Sequence, residues 1–173
     1  MTNQQLDERA MQVLRETGTY RVPVPIDVVA HRLRLTTKAA ALGEDVSGML
    51  VVEDELGAIG YNSTHAPVRQ RFTIAHEIAH YILHLKKNQK SQLFIDRFVF
   101  RRDENSSTGN DREEVEANRF AAALLMPETF VRKVIERFDF DLDDSEAIDS
   151  LAKRFNVSTA ALTNRLTTLG LLR

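Results

Sequence analysis

Not one of the 173 residues is cysteine, and that absence excludes a disulfide framework and any thiolate metal site. A metal held by this chain must use histidine and carboxylate. A charge excess is missing too. Lysine and arginine number 23 against 25 aspartates and glutamates, a net charge of −2, far from the basic balance of a dedicated nucleic-acid binder. No apolar run approaches the roughly 20 residues of a membrane span. The start Met1-Thr2-Asn3-Gln4-Gln5 lacks the basic and apolar regions of a secretory signal, so a cytoplasmic location is expected. There is no internal repeat or low-complexity tract. The length suits one domain, or one domain with a short appendage, and is sufficient for a proper core.

The pattern that remains is α+β, mostly helical with a small sheet. Leu6, Ala10, Val13 and Leu14 form a helical stripe that Gly18 ends. Pro25 opens a second helix carrying Val28, Val29 and Leu33. Met49-Leu50-Val51-Val52 and Ala58-Ile59-Gly60-Tyr61, separated by a polar turn with Gly57, predict a hairpin. A helix is expected over about Pro67 to Leu85, and alternation from Leu93 to Arg101 predicts one further strand. Asp103 to Asn110 is polar and reads as a loop where gating of an active site could act.

Inside the Pro67–Leu85 helix lies His76-Glu77-Ile78-Ala79-His80. Residues four apart on a helix are separated by about 40° and about 6 Å of rise. Two imidazoles at that offset can converge on one Zn²⁺, at about 2.0–2.1 Å from each nitrogen. Glu77 lies on the adjoining stripe, within reach of a water on the metal, which is the arrangement of HExxH metallopeptidases. His84 extends the stripe but lies about 12 Å along the axis from His76, too far to share its metal. It reads as a hydrogen-bonded packing residue.

A third ligand is available downstream, in Glu113-Glu114-Val115-Glu116-Ala117-Asn118-Arg119-Phe120-Ala121-Ala122-Ala123-Leu124-Leu125-Met126-Pro127. Ala117, Ala121, Leu124 and Leu125 mark a buried helix face, with Asn110 and Asp111 as caps and Pro127 as a stop or a new start. Glu114 stands one turn before Asn118, so both can project to one side. A second-helix glutamate would complete a His₂Glu site, and Asn118 would steady a ligand imidazole. Glu114 is favoured, with Glu116 and Glu113 as alternatives, since acidic residues also suit the first turn of any helix.

These two segments, in this order, resemble the ImmA/IrrE family of zinc peptidases over about Val46 to Pro127, and more loosely to the C-terminus. The resemblance implies a zincin-like fold, and the division expected is a metallopeptidase domain in residues 1–127 with a C-terminal helical extension in 128–173, either separate or part of the same domain. It also implies His76, His80 and Glu114 as metal ligands and Glu77 as the base. Zn²⁺ is the expected metal, with Mn²⁺ or another divalent ion an alternative. Members of the family cleave DNA-binding repressors and are often encoded beside their target, so the implied partner is a helix-turn-helix repressor. The competing readings are a DNA-binding regulator and a protein that captures a repressor without cutting it.

The DNA-binding reading rests on the C-terminus. Ile148, Leu151, Ala152 and Phe155, then Val157, Ala161, Leu162 and Leu166, predict two short helices, with Ser158 as N-cap and Gly170 as stop. Such a pair can read DNA. Only Thr159, Thr163, Asn164 and Arg165 qualify as base readers, so an ordinary helical hairpin is the favoured role. His31, His65, Tyr61 and Tyr81 receive no assigned role.

Overall fold

The computed structural model describes residues 1–43, 45–53, 56–85, 91–97, 108–138 and 144–172. Among them are seven α-helices and one four-stranded sheet: α1 Asn3–Glu16, α2 Ile26–Arg32, β1 Leu35–Ala40, β2 Val46–Glu53, β3 Leu56–Asn62 and α3 Pro67–Ala79 come first. A π-helical turn, His80–His84, continues α3. Then follow β4 Ser91–Arg97, α4 Thr108–Leu125, α5 Glu128–Phe138, α6 Ser145–Phe155 and α7 Thr159–Thr168. The class is α+β. Among the described residues no helix is long and apolar enough to cross a membrane.

Local chemistry accounts for the ends of the first helix. The Thr2 hydroxyl accepts from the Gln5 N–H, and the Gln5 side chain accepts from the Thr2 N–H at 2.8 Å, a reciprocal cap. Gly18 terminates α1 with φ of 65°, a conformation that suits glycine. Between these ends Leu6, Ala10, Val13 and Leu14 are buried, as their spacing predicted.

The sheet runs β1-β3-β2-β4, with β1 parallel to β3 and β2 antiparallel to both its neighbours. The expected hairpin forms, with Leu50 opposite Ile59 and Glu53 opposite Leu56. Gly57, however, lies inside β3 rather than in the turn. It pairs with Leu35, and a Cβ on it would stand 2.1 Å from the Leu35 side chain. The Leu35 side chain thus fills the space that a side chain at 57 would need. β1 itself adds a strand to the hairpin and single strand expected. The Leu93–Arg101 strand is β4 as far as Arg97, and its last positions lie outside the described residues.

Leu50, Val52 and Ile59 are buried on the sheet face against which α3 packs, while Val51, Leu93 and Ile95 face out. On the far side of α3 lies α4, which also packs on α1. Ala75 and Ala79 of α3 and Ala117 and Ala121 of α4 are all fully buried, and such small side chains let the helices lie close. α4 begins at Thr108, earlier than expected. Asn110 and Asp111 thus fall in its first turn instead of capping it, where an aspartate suits the helix dipole. Of the expected Asp103–Asn110 loop, residues 108–110 are helical and the rest lie outside the described residues.

The two C-terminal helices form as predicted, preceded by α5. Asn156 turns the chain with φ of 54°, and the Ser158 side chain accepts from the Ala161 N–H at 3.2 Å. Arg71 of α3 donates to the Asn156 carbonyl at 3.1 Å and to the Val24 carbonyl at 2.8 Å, fastening this turn to the helices around the sheet. Arg165 corrects an expectation. It is buried rather than available to DNA, because the α7 face that also carries Leu162 and Leu166 turns into the core. Its Nε donates to the Met126 carbonyl at 3.1 Å, and its guanidinium grips both carboxylate oxygens of Asp7 on α1. The Thr159 hydroxyl donates to Asp149 and the Thr163 hydroxyl to the Thr159 carbonyl, so both are engaged locally. Removing one partner of a buried pair strands the other charge. Asp7→Ala should therefore lower stability by about 3 kcal/mol in urea unfolding, whereas a loss below about 0.5 kcal/mol, as at an ordinary surface site, would show the pair to be idle.

Candidate metal centre

Proline at the first position starts α3 without an N–H that would need a partner. From Thr73 to Ala79 every residue is buried, because the sheet covers one side of the helix and α4 the other. His76 and His80 project one turn apart from this buried stretch, and Glu114 reaches them from α4. Glu114 Oε2 lies 3.3 Å from His76 Nε2, Glu114 Oε1 lies 3.3 Å from His80 Nε2, and the two imidazole nitrogens are 3.0 Å apart. Donors at about 2.0–2.1 Å from a tetrahedral ion are separated by about 3.3 Å. The three side chains thus fit a metal ion, and their N₂O donor set suits zinc. Burial would raise the Glu114 carboxyl, but hydrogen bonds and charge from His76 and His80 together hold it well below the usual carboxylate range.

Glu113 and Glu116, the alternative ligands, stand outside this cluster. Glu116 pairs with Arg112 and with the amine of Met1, while the Glu113 backbone carbonyl accepts from His84. His84 is therefore the packing residue its spacing implied. Burial and the neighbouring His80 both push its imidazole down. The π-helical turn that begins at His80 was not predicted, and such turns recur at functional sites.

Around the cluster, single contacts fix each ring. Asn118 Oδ1 accepts from His76 Nδ1 at 3.1 Å, which leaves the Nε2 lone pair directed at Glu114 and His80. The His80 ring stacks on Phe94 of β4 at 5.2 Å and meets the edge of His76 at 4.7 Å. Glu77 is completely buried on the neighbouring stripe, facing β2. A Cβ on Gly48 would stand 2.9 Å from Glu77 Oε1 and 2.4 Å from Thr73 Cγ2, so the carboxylate occupies space that any side chain at 48 would need. β2 bulges at this point. Val46 pairs with Arg97 and Gly48 with Asp96, leaving Ser47 as the extra residue. Gly48 escaped sequence reasoning, and its one signal was a glycine interrupting a strand pattern.

A small sheet beside a helix that carries two histidines and a glutamate, with a glutamate from the next long helix, defines a zincin-like protein. The model of the Peptidase M78 family, the IrrE N-terminal-like domain, matches residues 24–167, and the chain belongs to that family. It is 36% identical over 115 residues to the radiation response metalloprotease IrrE of Deinococcus radiodurans, a match covering 66% of this chain and 32% of that protein. The chain thus spans about a third of the length of this curated relative. A Mycobacterium tuberculosis transcriptional regulator shares the fold, with a TM-score of 0.63 at 20% identity over 96% of this chain and 47% of the other.

Proposed function

We propose that this protein is a zinc-dependent endopeptidase whose ligands are His76, His80 and Glu114 and whose general base is Glu77. The observation carrying this reading is the convergence of three donors at tetrahedral spacing beside a buried carboxylate that is not one of them. A zinc ion held there would supply Lewis acidity, acidifying a water and polarising the scissile carbonyl. Glu77 takes the proton of the attacking water and passes it to the departing amine nitrogen. Its burial behind Gly48 keeps solvent from competing for that proton. Asn118 holds His76 in the tautomer that presents Nε2 to the metal.

β4 offers a place for substrate. Among the described strands it pairs only with β2, so its outer edge can accept an extended peptide by strand addition. Phe94 of the same strand touches His80, which sets that edge beside the ligands. The substrate class we propose, a helix-turn-helix repressor, rests on the family resemblance, while the name of the Deinococcus metalloprotease supports only the peptidase activity. Capture without cleavage would leave Glu77 without a task.

The test is to load the purified chain with zinc and incubate it with the repressor encoded beside its gene. One zinc per chain, and a discrete cut that chelation abolishes, is the expected result. A chain that binds no metal would overturn the reading. Asn118→Ala should weaken zinc binding by about 10- to 100-fold in competition with a chelating dye. Unchanged affinity would mean that the His76 ring is fixed by packing instead.

A further inference from the structure

Between α3, α4 and α7 lies a cavity of about 680 Å³, separate from the ligand cluster. Its lining combines the apolar side chains of Phe72, Ala122, Val157 and Ala161 with the guanidinium groups of Arg69 and Arg119. The described residues that line it include three arginines and no carboxylate. Arg165 is already neutralised by Asp7. Arg119 is exposed and has neither hydrogen bond nor ion pair among the described residues. The volume falls within the roughly 300–1,000 Å³ of small-ligand sites.

Two wall residues lead directly to the proposed catalytic groups. Asn118 lines the cavity while its side-chain oxygen bonds His76. Arg69 lines it and donates to the Ser47 hydroxyl at 3.1 Å, in the β2 bulge next to the glycine that touches Glu77. A ligand here would press on the supports of both a metal ligand and the base.

We propose that this cavity is an effector site for a small amphiphilic anion, with an apolar body against Phe72, Ala122 and Ala161 and a carboxylate or phosphate on Arg119 and Arg69. Guanidinium forks suit either head group. Binding does not depend on the peptidase reading, whereas coupling to the metal rests on it. By linkage, an anion that alters zinc affinity must have its own affinity altered by zinc in equal measure.

The probe is 1-anilinonaphthalene-8-sulfonate, titrated by fluorescence into the zinc-loaded full chain. Saturation at one dye per chain is expected, weakened about tenfold by loss of one charged contact in Arg119→Glu. Ala161→Trp, which places an indole in the cavity lining, should weaken it similarly, both variants unfolding at the wild-type temperature. Octanoate or octyl phosphate should displace the dye, the stronger of the two identifying the head group, and neutral octanol should not. The displacing anion should also shift zinc affinity, and Asn118→Ala should abolish that shift. Dye binding unchanged in both variants, or octanol competing as well as the anions, would overturn the proposal. So would Arg119→Glu that spares dye binding but impairs cleavage of a protein substrate, since that result makes the cavity a docking groove for a partner helix. A wild-type chain that binds dye and anion as expected but takes up no zinc would support the site and sink the peptidase reading, so the two failures are separable.

Discussion

Glu77→Gln is expected to keep one zinc per chain and to lose cleavage by about 10³-fold, within the 10²–10⁴ range typical of a positioned general base. The substitution is nearly isosteric, so the side chain keeps the space beside Gly48 that the carboxylate now occupies. The metal should survive too, because Glu77 stands outside the cluster of His76, His80 and Glu114. What disappears is proton affinity at an atom buried beside the site. Stability should not fall, since a neutral amide is less costly to bury than a carboxylate. The measurement is kcat together with zinc content on the same preparations. Retention of more than a tenth of wild-type turnover would place the base elsewhere.

Much of this site was legible because its parts are local. The His76–His80 spacing is a property of one helix, and Glu114 with Asn118 is a property of another, each readable from a single stripe. The choice among Glu113, Glu114 and Glu116 was harder, since three glutamates in one turn differ only in the direction they face. Glu114 faces the histidines, Glu116 faces Arg112 and Met1, and Glu113 contributes its carbonyl to His84. The illegible parts are long-range. Strand β1 carries a single buried apolar side chain, Leu35, and owes its register to parallel pairing with β3. Gly48 matters because a strand passes 25 residues upstream of the Thr73 methyl that it touches. Arg165 read as a surface cation until Asp7, 158 residues away, was found against it. Such pairings are set by tertiary packing and leave no periodic trace.

Zinc should raise the thermal midpoint of the wild-type chain by roughly 10 °C. At a thousandfold excess over Kd, a ligand that binds only the folded state stabilises it by about 4 kcal/mol, and in a domain of this size each kcal/mol moves the midpoint by about 2–4 °C. The effect is mechanical as well as thermodynamic. His76 belongs to α3, His80 to the π-helical turn that continues it and Glu114 to α4, so the ion ties together helices that already share a packed face. His80→Ala should remove most of the shift. It leaves one imidazole and one half-buried carboxylate, too few donors for a tight site, and its zinc affinity should fall by roughly 10³-fold if the ligands share the total binding energy evenly. The metal-free midpoint of this variant will also drop, because the ring that packs on Phe94 is gone. The readout is therefore the difference between zinc-loaded and chelated midpoints, measured within each variant. Glu77→Gln supplies the contrast, keeping the full zinc shift while losing turnover. His80→Ala with an undiminished shift would mean that the ion binds elsewhere, and the assignment of His76, His80 and Glu114 would fall with it.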